Sequence, residues 1–179
     1  MTENNSSFRA VIEMTRGGHC VMTGFPGLQT GIDGDPYLDP DNLSDTLADV
    51  KKAGAGLLIV LAEEAELPDG AFAFLHDGAD AAGIDLAFLP IPDYETPDAA
   101  MLDRLHDLET RRPDMPNSGG TVAFACQYGA GRSGTMVAYL LLREGYDLDA
   151  AIKRVRAGFG EAIESEAQLT WLAECCTSA

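Results

Sequence analysis

The chain has 179 residues, 46% of them hydrophobic and 23% charged, which suits one domain whose core needs no disulfide or metal staple. Its formal net charge of −17 argues against nucleic acid and anionic membranes as partners, since an acidic surface repels polyanions. The acidity is read as serving solubility or a high-salt habitat, and a phosphorylated partner must be met at a local positive site.

Residues 1–8 are polar and expected to fray, leaving a single domain over residues 9–179. Residues 19–23 form a short candidate strand, followed by a loop rich in glycine, proline and aspartate. Asp39-Pro40-Asp41 opens an amphipathic helix carrying Leu43, Leu47 and Val50 on one face and Lys51 and Lys52 at its end. The unbroken apolar run 56–61 reads as a strand buried on both faces, and residues 71–82 as a helix ended by Gly83. Residues 84–89 form the next strand, stopped by Pro90 and Pro92. Thr96-Pro97-Asp98 then opens a helix, with Thr96 as cap and Pro97 in the first position.

After a loop over 114–120, residues 121–142 read as strand, tight glycine loop and helix, the helix beginning at Ser133. Further helices follow over 148–157 and from about 164 to 175. Strands alternating with helices imply an α/β fold built on a mainly parallel sheet, with its active loops at the strands' carboxyl ends. Cys20, Cys126, Cys175 and Cys176 show no disulfide-framework spacing, and neither a secretion signal nor an apolar run of about 18 residues is present. A cytoplasmic location is expected.

The chemistry concentrates at the glycine loop. Five residues separate Cys126 from Arg132, and Gly129 and Gly131 let successive backbone N–H groups turn inward around one anion. Gln127, Tyr128, Gly129, Ala130, Gly131 and Arg132 are therefore the candidate phosphate-binding residues. The amide ring and the helix end behind it favour a thiolate at Cys126, which can attack phosphorus. Arg132 offers a planar, permanently charged fork for two phosphate oxygens. Ser133 has two readings: a hydrogen bond to the cysteine sulfur, which would make it a better leaving group, or an ordinary helix cap.

A leaving oxygen needs a proton, and Asp93, presented by a proline-stiffened loop after a strand, is the favoured acid over Glu95 and Asp98. Asp98 suits the first turn of the next helix. His19, His76 and His106 have no metal-ligand spacing and are read as structural or surface residues. Cys20 is read as an inert buried thiol, or as a redox partner for Cys126 if the first strand lies near it.

Cys126-Gln127-Tyr128-Gly129-Ala130-Gly131-Arg132-Ser133-Gly134 resembles the signature of the cysteine-dependent protein tyrosine and dual-specificity phosphatases. Gly24-Phe25-Pro26-Gly27, Pro90-Ile91-Pro92-Asp93 with Thr96-Pro97-Asp98, and the tail through Ala162-Ile163-Glu164-Ser165-Glu166-Ala167-Gln168 extend it. Together they are most similar to the cyclin-dependent-kinase-associated dual-specificity phosphatase and its bacterial relatives. The resemblance implies a four- or five-stranded sheet flanked by helices, no metal or other cofactor, and a catalytic domain over 9–179. It also implies a two-step mechanism in which Cys126 is phosphorylated, Asp93 serves as acid and then base, and Arg132 holds phosphate.

Gln168 and Glu164 match positions that place the hydrolytic water in tyrosine phosphatases, where glutamine is common at the position of Glu164. Histidine usually precedes the cysteine, where Ala125 stands here. The expected substrate is a phosphorylated protein or peptide, with phosphotyrosine first and phosphoserine or phosphothreonine next. The competing readings are a phosphate-recognising module with little turnover, motivated by Ala125 and Glu164, and a phosphatase of phosphoinositides or small phosphorylated metabolites.

Overall fold

The computed structural model describes residues 5–177. Strands β1 (Phe8–Glu13), β2 (His19–Gly24), β5 (Leu57–Val60), β6 (Asp85–Phe88) and β7 (Thr121–Cys126) form one sheet in the order β1-β2-β7-β5-β6. Only β1 within it runs antiparallel to its neighbour; β2, β7, β5 and β6 pair in parallel. β3 (Leu28–Thr30) and β4 (Pro36–Leu38) make a separate hairpin. The expected mainly parallel sheet is therefore observed, with five strands. Because its central strands are parallel, the loops after β5, β6 and β7 all leave from the same edge.

The strands are apolar on both faces because helices cover both. Along β7 the side chains alternate: Val122, Phe124 and Cys126 join one apolar cluster, and Ala123 and Ala125 the other. The first cluster takes its cover from α3 (Ala99–Arg111), α4 (Gly131–Arg143), α5 (Leu148–Gly158) and α6 (Glu166–Thr177) through residues such as Leu105, Leu141, Val155 and Leu172. The second is closed by Leu43, Leu47 and Val50 of α1 (Pro40–Lys52) and Leu75 and Ala79 of α2 (Ala71–Ala82). Among the described residues no helix is long and apolar enough to cross a membrane.

Several sequence-based boundaries move. The cap of α3 is Asp98, whose carboxylate accepts from Met101 N–H at 2.7 Å, and not Thr96: the helix begins two residues later than expected. α4 begins at Gly131, so Arg132 and Ser133 lie in its first turn. The hairpin β3–β4 falls in a stretch read as loop, and β1 was not anticipated, since a half-exposed edge strand carrying Arg9 and Glu13 has only weak alternation. Fraying was expected through residue 8. Residues 1–4 lie outside the described residues, but Ser7 is buried, its N–H donates to Thr46 Oγ1 at 2.8 Å and its carbonyl accepts from Gly24 N–H at 2.9 Å.

Asn42, buried on α1, ties this N-terminal end to the chain after β2. Its Oδ1 accepts from Gly27 N–H at 2.7 Å and from Ser7 Oγ at 3.2 Å. Asn42→Ala removes the one acceptor shared by two buried donors, and a cost of about 1–3 kcal/mol is expected. The urea midpoint should fall by that loss divided by the slope, with the slope unchanged.

Candidate active site

The connections after β5, β6 and β7 bring Glu66, Asp93, Cys126 and Arg132 to one place. β7 delivers Cys126, nearly buried, at the start of the turn into α4. Gly129 N–H donates to Cys126 Sγ at 3.2 Å, placing one amide of the ring on the sulfur. Gly129 has φ +93°, and a Cβ there would stand 2.5 Å from the backbone of Thr23 and Gly24, so glycine is required both by conformation and by contact with β2. The loop is braced from outside as well: Phe25 N–H donates to Gln127 O at 3.2 Å, and Arg9 Nε donates to Tyr128 O at 2.9 Å. The Arg9 guanidinium lies 4.5 Å from the centre of the Tyr128 ring. The unanticipated strand β1 is thus part of the site's support.

Arg132 is 2% exposed and is gripped from three directions. Its guanidinium donates to both oxygens of Glu66, at 2.6 and 3.1 Å, and to Ile91 O at 2.9 Å, and its Nη2 stands 3.2 Å from Asp93 Oδ1. Burial works against the charge, but the bonds to Glu66 and the fields of Cys126 and Asp93 outweigh it, holding the guanidinium above its ordinary value. Glu66, in the short turn after β5, escaped the sequence reading. The only local hint was Glu63 three residues earlier, whose N–H donates to Glu66 Oε1 at 2.8 Å in a capping arrangement. Nothing local pointed to a partner 66 positions away.

The Asp93 carboxylate is turned toward Arg132 and accepts from Tyr94 N–H at 3.1 Å. Asp98 is engaged as the cap of α3. Glu164 also reaches the ring: a Cβ on Gly131 would overlap its carboxylate, which faces the Gly131 amide. Desolvation, together with Asp93 and Glu161, outweighs the pull of Arg132 and that amide, and raises the Glu164 carboxyl above its ordinary value. Gln168 is fully buried, and its Oε1 accepts from Glu164 N–H at 2.9 Å and Ser165 N–H at 3.2 Å.

Other expectations change. The Ser133 hydroxyl donates to Phe124 O at 3.2 Å and not to the Cys126 sulfur, and it is not the helix cap, which is Ala130. The redox reading of Cys20 is corrected: it pairs with Val122 in the β2–β7 register, four residues before Cys126. That places it about 13 Å along the strand, beyond disulfide reach. Burial, with Glu144 and Glu109 nearby, pushes its thiol up, as befits an inert cysteine. His76 and His106 sit on α2 and α3, beside Asp80 and Glu109, and His19 opens β2, all outside the ring. The methyl of Ala125 belongs to the apolar cluster under α1 and α2, on the face of β7 opposite Cys126.

Residues 39–177 match the family model described as Swiss Army Knife protein, DSP-PTPase phosphatase domain. No curated protein matches the chain. Among solved structures, kinase associated phosphatase (KAP) with its catalytic-site cysteine substituted by serine superposes with a TM-score of 0.75, at 23% identity over 98% of this chain and 97% of that one. Tk-PTP in its active form gives 0.64, at 23% identity over 97% and 98% of the two chains. PTPMT1 in complex with PI(5)P gives 0.60, at 19% identity over 89% and 90%. At these identities the likeness establishes the fold alone.

Glu66→Ala leaves Arg132 buried without its bidentate partner, and a stability loss of about 3 kcal/mol is expected from urea unfolding. Glu164 behaves oppositely. With its folded-state value raised, the protonated form is favoured, a contribution fully present below the ordinary 4.5 and lost as pH rises through the raised value. Glu164→Gln should therefore increase the thermal midpoint at pH 7, modestly because the carboxylate is part-exposed and screened. That advantage should disappear as the pH is lowered below 4.5.

Proposed function

Because the chain belongs to the DSP-PTPase phosphatase domain family, we propose that it hydrolyses phosphomonoesters through a phosphocysteine formed on Cys126. Phosphotyrosine in proteins or peptides is the first substrate, with phosphoserine and phosphothreonine next. The observation that carries this reading is the convergence of Cys126 in its loop, the buried Arg132 and the Asp93 carboxylate 3.2 Å from that guanidinium.

In the first step the Cys126 thiolate forms an S–P bond as the P–O bond to the leaving group breaks, and protonated Asp93 gives its proton to the departing oxygen. In the second, Asp93 takes a proton from water as the water oxygen attacks phosphorus. The S–P bond breaks, returning the thiolate and inorganic phosphate. Loop amides and the N-terminus of α4 hold the phosphoryl oxygens throughout, with Arg132 following them into the transition state. In this reading Glu164, against Gly131, is the side chain nearest the hydrolytic water, and Gln168 holds the Glu164 backbone. Ser133 acts on the loop through Phe124 O, anchoring the first turn of α4 beneath the nucleophile.

The charge around the ring favours a monoester without further phosphates. Asp93 and Glu161 both act on the Glu164 carboxylate, which lies against Gly131, and a second phosphate near it would meet negative charge. PTPMT1, solved with PI(5)P, shares the fold, so phosphoinositides belong in the substrate panel. A second reading, phosphate recognition without efficient turnover, draws on the Glu164 carboxylate lying against Gly131. Rapid quench distinguishes the two, because a trapped phosphocysteine excludes it.

Cys126→Ser should abolish hydrolysis of an aryl phosphate, and a chelator should leave the wild-type rate unchanged; undiminished turnover in the variant refutes the mechanism. Asp93→Asn should lower kcat by about 10²–10⁴-fold for poor leaving groups and far less for good ones. Plotting rate against leaving-group acidity for both proteins checks this.

A further inference from the structure

The loop carrying Asp93 and the loop entering α6 are stitched together, and each holds a non-glycine residue in the left-handed region: Tyr94 at φ 62° and Ile163 at φ 63°. A side-chain-bearing residue keeps such a backbone only where neighbours hold it. Ile163 is held by its own contacts, since its N–H donates to Ala130 O at 3.3 Å and its carbonyl accepts from Arg156 at 3.1 Å. The hold on Tyr94 comes from Ser165.

Ser165 and Gln168 form a reciprocal capping box at the start of α6. Gln168 N–H donates to Ser165 Oγ at 3.1 Å, and Ser165 N–H donates to Gln168 Oε1 at 3.2 Å. In this arrangement the serine oxygen accepts from the helix, and its single proton is free to point away from it. That proton goes across to Tyr94 O at 2.7 Å. The Gln168 amide extends the same junction, with Nε2 facing Glu95 O at 3.4 Å.

Tyr94 is the link between this cap and the acid. Its carbonyl is held by Ser165, and its N–H donates to Asp93 Oδ1 at 3.1 Å. Rotation of the Tyr94 backbone would swing the Asp93 carboxylate away from Arg132. On the other side of the loop, Arg132 fixes Ile91 O. Asp93 therefore lies between two anchors, one on α4 and one at the cap of α6. We propose that Ser165, with Gln168 behind it, is a positioning residue that latches the Tyr94 backbone and so presets Asp93 for proton transfer. This rests on the reading of Asp93 as the acid.

The test compares wild type, Ser165→Ala, Ser165→Gly, Ser165→Thr and Asp93→Asn as full chains on aryl phosphates spanning good to poor leaving groups. Glycine retains most of the capping preference of serine but cannot donate to Tyr94 O, so Ser165→Gly separates latch from helix cap. Ser165→Ala and Ser165→Gly should lose about tenfold in kcat on poor leaving groups, remain within about twofold on good ones, and keep their KM. Ser165→Thr should retain the wild-type profile. In the alanine and glycine variants the Glu95 amide, which donates to Pro92 O at 3.0 Å, should exchange faster with solvent while the thermal transition stays cooperative.

Equal losses across the series, no loss, or threonine behaving like alanine overturns the latch. If those results accompany a steep leaving-group dependence in Asp93→Asn, only the latch falls. If Asp93→Asn shows no such dependence, the acid assignment fails and the latch with it.

Discussion

The buried Arg132 guanidinium organises the molecule's functional edge. A cation removed from water needs partners that restore what solvation supplied, and no one segment of this chain provides them all. Glu66 comes from the turn after β5, Ile91 O and Asp93 from the loop after β6, and Arg132 itself from the helix after β7. The parallel sheet makes this meeting possible by sending all three connections out at the same edge. Satisfying one charge thereby aligns the loop after Cys126 with the loop bearing Asp93.

The loop between Cys126 and Arg132 is shaped mainly through its backbone, which explains its dependence on glycine and on neighbouring strands. Gly129 lies so close to β2 that a side chain would collide with main chain, and Arg9 on β1 props the Tyr128 carbonyl from outside. β1 precedes the segment matched by the family model, yet it contacts the functional loop directly. In a chain of net charge −17, the positive potential of this site comes from oriented amides, a helix terminus and one enclosed arginine. Glu66 and Asp93 stand directly against that arginine, so the positive potential is short-ranged.

Glu164 sets a tension within that design. Its carboxylate faces the Gly131 amide, and partial desolvation beside Asp93 favours its neutral form. The absence of a histidine before Cys126 has a different physical basis: Ala125 faces the apolar cluster under α1 and α2, where its methyl fills space between strand and helices. Gly129 N–H is the loop amide that reaches the Cys126 sulfur.

By itself the sequence determined the alternation of strand and helix, the glycine loop between Cys126 and Arg132, and the placement of Asp93 just beyond a strand, because those features rest on local periodicity and spacing. It did not reveal β1, whose edge pattern is weak, nor the cap at Asp98, where two adjacent helix-start signals competed. It also could not reveal what holds the site together. The pairing of Glu66 with Arg132, the turning of Ser133 toward Phe124 O, the distance of Cys20 from Cys126 and the bond from Ser165 to Tyr94 O were decided only by the tertiary structure. Each is set by how strands are ordered and how loops from distant positions meet, and no residue's neighbours in the chain carry that information.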